Sequence, residues 1–465
     1  MGFTERVHQA VLLFRERVHS GPVLVVGNLD TDGITGTSIL VQTLLHEGIP
    51  FGVHIIKQLS DPFLNELRET AYPVIFFADL GSGYLTGIER ALQGKHVFIF
   101  DHHHPERWET PEWIVHVNPH LDGIDGTKDV SAAGVCYFFA RTLRPEHVNL
   151  AHLALIGAVG DIQEHFGFSG LNKEILRDAL HSGVLELREG LRMFGLYTKP
   201  LCKVFEYSTS PYLPGVTGNR DGAIRFLEES GIAPSGKGGT LRFTDLKPDT
   251  AQRLMTLLKE KTADPSIGPV YLLPHEGDNT PFRDVKEFST VLNSCGRMGK
   301  TGLGVGVCLN DGPSRKEALE LLQDYRREII RGLEWFYAHR GTPYVIEQKG
   351  FTLINAEGVV RDTLIGTIAS LLSKSHLYPD NTIIMSMAHT LGGETKVSTR
   401  LCGFQPSSQI DLRLVIKELV EKSGGYGGGH RLAAGATIPQ DKEQLFLTSA
   451  LEVLSRVITK EPVLA

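Results

Sequence analysis

From residue 22 to about 160, short apolar runs rich in β-branched and aromatic residues alternate with longer segments whose apolar positions recur at helical spacing. The runs predict strands at 22–27, 51–56, 73–78, 96–100 and 113–117, and the spacing predicts helices near 35–47, 62–70, 84–93, 131–142 and 147–159. Two of the runs, Val74-Ile-Phe-Phe-Ala78 and Val97-Phe-Ile-Phe100, are apolar at every position. Such strands must be covered on both faces, and strands separated by helices run parallel. The pattern therefore predicts an α/β domain, a parallel sheet with helices on both faces. Ligands of such sheets bind beyond the carboxyl ends of the strands.

The pattern changes over residues 185–290. Pro and Gly become frequent, as in Ser210-Pro-Tyr-Leu-Pro-Gly215, and the tight strand–helix alternation fades. Gly236–Gly239 reads as a hairpin or tip and Asp249–Lys261 as a helix. Residues 313–340 read as a long polar helix, apolar at Leu319, Leu322, Ile329, Leu333 and Phe336. Its Arg315, Arg326, Arg327, Arg331 and Arg340 alternate with acids, the pattern of a solvated, self-paired face. A second mixed α/β pattern follows, with strands predicted at 343–347, 351–355, 382–388, 395–402 and 433–438 and helices at 364–374, 410–422 and 441–457. The expected organisation is a first domain of residues 1–184 and 291–312, an inserted accessory module at 185–290, a linker helix at 313–342 and a smaller mixed α/β C-terminal domain at 343–465.

A chain of 465 residues exceeds one ordinary core, and 41 % hydrophobic with 22 % charged residues is a globular composition. The formal net charge of −7 argues against a general duplex-coating protein, which would be basic, but not against phosphodiester chemistry carried out through bound cations. The five cysteines are scattered without a Cys-x-x-Cys pair, as expected of free thiols in a reduced, cytoplasmic setting. No apolar run approaches membrane-spanning length, and the N-terminus reads as an amphipathic helix without a signal peptide's cleavage region.

The candidate chemistry lies at the ends of the apolar segments. Asp30 and Asp32 follow Val23-Leu-Val-Val-Gly27, Asp79 follows the run at 74–78, Asp101-His102-His103-His104 follows the run at 97–100, and Asp161 follows the apolar stretch Leu153–Gly160. Carboxylates gathered at one sheet edge repel one another unless cations hold them together. Carboxylate and imidazole donors suit divalent metals, and a pair of metals points to phosphate-ester chemistry. Two Gly-rich segments are decoys. Ser294–Thr301 resembles a phosphate loop but has Ser where the first Gly belongs, and Gly302–Gly306 has the wrong spacing for a dinucleotide fingerprint.

As an ordered set, Asp30-x-Asp32-Gly, Asp79, Asp101-His-His and Asp161 resemble the DHH phosphoesterase superfamily. Asn293-x-x-Gly296-Arg297 resembles the motif that closes the first domain in its RecJ-like branch. Val397-Ser-Thr-Arg400 and Gly428-Gly-His430-x-x-Ala-Ala-Gly435 resemble signatures of the DHH-associated C-terminal domain. The likeness is to the archaeal RecJ-like nucleases, including the GINS-associated type. It implies that Asp30, Asp32, Asp79, His102 and Asp161 ligate two Mn²⁺ or Mg²⁺ ions, with Asp79 bridging, and that His103 contacts the scissile phosphate or assists the leaving oxygen. Asp101 and Asn28 would lie one layer out, Asn28 because RecJ-like members usually carry Asp there and a neutral amide binds metal poorly. Arg297, Ser398, Arg400, Gly428, Gly429 and His430 would hold nucleic-acid phosphates, with Tyr426 and Trp335 as candidate stacking platforms for bases.

The activity implied is metal-dependent 5′→3′ exonuclease action on single-stranded DNA, with RNA as a possible second substrate, in archaeal replication and repair. The GINS complex would dock on 185–290. Two alternatives stand beside it: a phosphodiesterase of short oligoribonucleotides or cyclic dinucleotides, and a replisome scaffold of the kind that has lost its metal ligands.

Overall fold

The structure, a computed structural model, describes residues 2–164, 167–208, 213, 215–232, 241–261, 267–375, 377–403 and 409–460. The turn expected at Gly236–Gly239 lies outside the described residues. The chain divides into two compact units, Met1–Leu322 and Gln323–Ala465.

In the first unit the elements run α1 (Phe3–Arg17), β1 (Val23–Asn28), α2 (Thr31–His46), β2 (Phe51–Ile56), α3 (Asp61–Glu69), β3 (Val74–Ala78), α4 (Leu85–Ala91), β4 (His96–Phe100), β5 (Ile114–Val117), α5 (Ala132–Leu143), α6 (Ala151–Gly160) and α7 (Gly170–His181). The five strands form one parallel sheet in the order β2-β1-β3-β4-β5. The all-apolar strands explain how it is covered. On one face Phe76 and Phe98 meet Phe14 of α1 and Phe139 of α5, with ring centroids 5.1–6.1 Å apart. On the other face Ile75, Phe77, Val97 and Ile99 pack with Leu64 and Leu67 of α3 and Ile88 of α4. This is the doubly covered sheet the pattern predicts.

The segment from 185 onward contributes β6 (Glu186–Leu191), α8 (Leu201–Glu206), α9 (Arg220–Glu229), α10 (Pro248–Lys261) and β7 (Ile267–Leu272), and β6 pairs with β7 antiparallel. It has an apolar cluster of its own around Leu201, Phe205, Phe226, Leu254 and Leu258. The chain then continues through α11 (Val285–Arg297) and α12 (Thr301–Cys308). The phosphate-loop look-alike is thus the junction of two helices, with no strand feeding it. The long helix α13 (Gly312–His339) carries the chain across the boundary of the two units.

The second unit contains β8 (Val345–Gln348), β9 (Phe351–Asn355), α14 (Asp362–Ser373), β10 (Ile383–His389), β11 (Glu394–Leu401), α15 (Leu412–Ser423), β12 (Tyr426–His430), β13 (Ala433–Pro439) and α16 (Glu443–Lys460). Its mixed sheet has the order β12-β13-β11-β10-β9-β8. Strand β12 is not among the predicted strands, because glycine carries no β-propensity signal. Pairing with β13 from Tyr426↔Thr437 to His430↔Ala433 makes this Gly-rich run the sheet's exposed edge.

Phe76 is fully buried and touches aromatic rings of both helices on its face, Phe14 of α1 and Phe139 of α5. Phe76→Ala is expected to cost about 3–5 kcal/mol, as deleting a buried aromatic does. Chemical denaturation would show this as a lower midpoint; an unchanged midpoint would contradict the packing described.

Candidate metal centre

The strand order reverses direction between β1 and β3, which are neighbours although β2 lies between them in sequence. That is the topological switch point at which such sheets open a crevice. Asp30 and Asp32 leave β1 there, Asp79 leaves β3 and Asp101 leaves β4. Asp161 reaches the same place from elsewhere. It caps the C-terminal end of α6, the helix that the spacing predicts over 147–159.

Asp30 is the N-cap of α2, and its Oδ1 accepts from Gly33 N at 3.0 Å. Asp32 lies in the first turn of α2, where the helix dipole favours negative charge. It is buried, and its two oxygens accept from Ala132 N at 2.7 Å and Ala133 N at 3.0 Å, the first amides of α5. Two helix N-termini therefore hold one carboxylate. Gly157 lets α6 come this close, since a Cβ there would lie 2.5 Å from Asp32 Oδ1. Asn28, at the end of β1, turns its Oδ1 to its neighbour's amide, Leu29 N, at 2.6 Å.

Asp79 has a positive φ of 61°, a conformation that Asp tolerates better than most residues. Its carboxylate is buried, and Oδ1 lacks a hydrogen bond of proper geometry. Asp101 is the opposite case: Oδ2 accepts from Ser82 N at 2.9 Å, and Oδ1 accepts from His102 N at 2.8 Å and faces His103 Nδ1 at 2.8 Å. The oxygens of Asp101 are thus occupied in shaping the DHH turn. His103 is half-exposed, with Nδ1 also 3.6 Å from Asp79 Oδ1.

His102 Nδ1 lies 2.6 Å from Gly126 O, a carbonyl that can only accept. The ring proton is therefore on Nδ1, and Nε2 points away with its lone pair. That nitrogen faces Asp79 Oδ1 at 3.3 Å, Asp161 Oδ2 at 3.7 Å and Asp32 Oδ2 at 3.8 Å. Donor atoms of Asp79, His102 and His103 also lie within 4.8 Å of one another. Asp30 is near enough for its charge to act on Asp79, Asp32 and Asp161. Lone pairs from an imidazole and three carboxylates thus converge with no protein hydrogen between them, except one added to His102 itself. This donor set fits a divalent cation.

The electrostatics follow. Burial first, and then the neighbouring acids, push Asp32 up to about 6 and Asp79 well above the carboxylate range; Asp161 is raised mainly by burial. Burial opposes charge on His102 and His103, but the acids outweigh it. Asp79, Asp161 and Asp32 hold His102 well above its ordinary value, and Asp101 with Asp79 lifts His103 to about 9. Burial would raise Asp101 too, yet His103 and the amides hold it well below the usual range.

Sequence reasoning missed Gln163. Its buried amide donates to Asp161 Oδ2 at 2.9 Å and to Gly126 O at 2.9 Å, the carbonyl that also fixes His102. An isolated glutamine gives no sequence signal; only its place two residues beyond Asp161 offered a cue. The next residue, Glu164, pairs with Arg192 just beyond β6. Arg297 lies at the end of α11, with its Nε 3.3 Å from Asn293 Oδ1. The glycine before it is required by contact: a Cβ on Gly296 would sit 1.8 Å from Leu29 O.

In the second unit, register places the predicted phosphate-holding residues in two rows. Ser398, Gly435 and Gly428 are successive cross-strand partners on β11, β13 and β12, and so are Arg400, Ala433 and His430. Residues two apart on a strand share a face, so Ser398, Arg400, Gly428 and His430 lie on one face of the sheet. Arg400 donates to Ser398 Oγ at 3.1 Å and to Ser370 Oγ at 2.9 Å. Gly429, between the rows, has φ 136°. Tyr426 is exposed at the start of β12, and Trp335 stacks on His339 at 4.7 Å.

Comparison with known proteins accords with this geometry. Residues 22–158 match the N-terminal domain of the DHH family, 193–267 the DHH-CID domain and 353–458 the DHHA1 domain. An uncharacterized protein of Methanocaldococcus jannaschii is 30 % identical over 98 % of this chain and 98 % of its own. The chain belongs to the DHH family of phosphoesterases. Within that family it is RecJ-like: the single-stranded-DNA-specific exonuclease RecJ of Thermus thermophilus is 26 % identical over 285 residues, 58 % of this chain and 42 % of RecJ. The chain thus spans less than half the length of that relative. The crystal structure of Thermus RecJ with Mn²⁺ superposes with a TM-score of 0.61 at 17 % identity, over 98 % of this chain and 55 % of that one. CDC45 from Entamoeba histolytica superposes with a TM-score of 0.66 at 10 % identity, over 98 % and 99 %. At these identities the two structures establish a shared fold. Among the described residues, no helix is long and apolar enough to cross a membrane.

The raised values carry a pH dependence of definite sign. Asp32 and His103 hold protons more tightly in the folded, metal-free chain than in the unfolded one. Their stabilisation is present at low pH and is lost as pH rises, through about 6 for Asp32 and about 9 for His103. A divalent cation must displace the proton on Asp32 and any on His102 Nε2, and leaves that of His103, which is not among the ligands. Mn²⁺ affinity is therefore expected to strengthen steadily from pH 5.5 to 9 with net proton release, measured by titration calorimetry in two buffers of different ionisation enthalpy. An affinity flat across that range would contradict these electrostatics.

Proposed function

We propose that the chain is a divalent-metal-dependent exonuclease that hydrolyses single-stranded DNA from an end, 5′→3′, with RNA as a second substrate. The observation that carries this reading is the convergence of buried Asp79 and Asp32 and half-buried Asp161 on the lone pair of His102. Asp30, Asp32, Asp79, His102 and Asp161 are the residues that would hold two ions, Mn²⁺ or Mg²⁺. When bound, the ions supply Lewis-acid charge at the phosphate and lower the pKa of a water.

The chain's own groups do the rest. Gly126 O fixes the ring of His102 so that Nε2 is kept for the cation. Asp101 shapes the turn and holds His103 as an imidazolium at neutral pH. As the water oxygen bonds to phosphorus and the bond to the leaving sugar oxygen breaks, His103 supplies the proton that oxygen needs. The proton given up by the water passes to solvent. Arg297, Ser398, Arg400, Gly428, Gly429 and His430 hold the strand's phosphates, Arg400 with a planar fork suited to an anionic oxygen pair.

The RecJ name of the relatives at 26 % identity supports the single-strand substrate. The buried acid set favours catalysis over a purely scaffolding role for the fold shared with CDC45. Asp79→Ala is expected to abolish Mn²⁺-dependent release of nucleotides from end-labelled single-stranded DNA while the far-ultraviolet circular dichroism stays unchanged. Full activity in that variant would remove the site. The same assay with DNA and RNA labelled at either end, against a dinucleotide, separates this reading from an oligoribonucleotide phosphodiesterase.

We assign the setting to archaeal DNA replication and repair, with the GINS complex docking on 185–290. In that segment Tyr207 and Leu187 are exposed apolar side chains. Tyr207→Ala with Leu187→Asp is expected to break a GINS pull-down and spare nuclease activity; unchanged capture would count against this docking surface.

A further inference from the structure

We propose that Gln163 is a positioning residue that locks His102 and Asp161 into one cation-binding set. This inference rests on the metal-site reading above and adds to it a residue outside the DHH signatures.

Three observations carry it. First, the buried amide of Gln163 bridges the two residues from behind. One N–H goes to Asp161 Oδ2 at 2.9 Å, and the other to Gly126 O at 2.9 Å, beside the 2.6 Å contact from His102 Nδ1. An amide nitrogen has two hydrogens, and both are used. Second, the amide can face only one way. Its Oε1 accepts from Asn172 Nδ2 at 2.8 Å, and a flipped amide would put that oxygen against the Asp161 carboxylate and the Gly126 carbonyl. Asn172 is itself fully buried, and its amide faces the oxygen that the two acceptors around Gln163 Nε2 leave pointing its way.

Third, the backbone is strained in order to deliver it. Ile162, between Asp161 and Gln163, has φ 59°, and its side chain is 76 % exposed. A β-branched residue in the left-handed region is an outlier that persists only where its surroundings over-determine it. Here the reversal sends Ile162 to solvent and lets the side chains on either side of it meet. Without the brace, Asp161 would be free to turn to solvent, and the Gly126 carbonyl that sets the His102 tautomer would lose a donor.

Calorimetric Mn²⁺ titration of the full chain tests this, alongside thermal melts of the metal-free protein. Gln163→Met keeps the length of the side chain and removes both donors. It is expected to weaken Mn²⁺ binding by roughly 10–100-fold, the usual cost of losing a group that orients a metal ligand. Asn172→Leu leaves Gln163 in place but removes the donor that holds its Oε1; a loss in the same direction is expected. A role in folding alone would lower the metal-free melting temperature and leave the affinity of the folded protein unchanged. Mn²⁺ affinity within about threefold of the unaltered chain in both variants would overturn the brace. Failure of the unaltered chain to bind Mn²⁺ would instead overturn the site reading, and this inference with it.

Discussion

The constraint on which the site depends is that acceptors meet acceptors. Gly126 O takes the only proton of a neutral His102, so Nε2 faces three carboxylates with a lone pair. In a buried place such an arrangement is repulsive, and burying charge without a partner costs several kcal/mol. In the metal-free chain burial and the neighbouring acids push Asp32 and Asp79 up, and those acids hold His102 up, so protons are bound more tightly there. A divalent cation held by these donors would supply the positive charge that the protons otherwise supply. The left-handed turns at Asp79 and Ile162 and the close approach at Gly157 make sense as the cost of building this convergence.

The parallel sheet supplies the precision. Strands packed on both faces by Phe76, Phe98, Ile75 and Ile99 leave their carboxyl ends with little freedom. The helices serve the same end: α2 is capped by Asp30, α5 offers its first amides to Asp32, and α6 delivers Asp161. Through Glu164 and Arg192, the segment bearing Asp161 is also joined to the chain that follows β6.

Much of this was legible in the sequence because one physical rule linked pattern to place. Apolar runs buried on both faces mean a parallel sheet, and a parallel sheet puts its ligands at the carboxyl ends. Asp30, Asp32, Asp79 and Asp101 could be located by that rule. Asp161 lies at the end of the helix that the spacing predicts over 147–159, which brings it to the same edge. Gln163 was hidden because an amide brace leaves no periodicity, and β12 because a glycine run carries no strand preference. Asn28 stands where RecJ-like members usually carry Asp, and its side chain serves the adjoining backbone amide.

The central claim is that a divalent cation occupies the point where Asp79 Oδ1 and His102 Nε2 meet. Crystals grown with Mn²⁺ and measured at the manganese absorption edge test it directly. The account requires an anomalous peak within coordination distance of both atoms. Clean density with no peak there, and a hydrogen-bonded His102–carboxylate pair in its place, would contradict it.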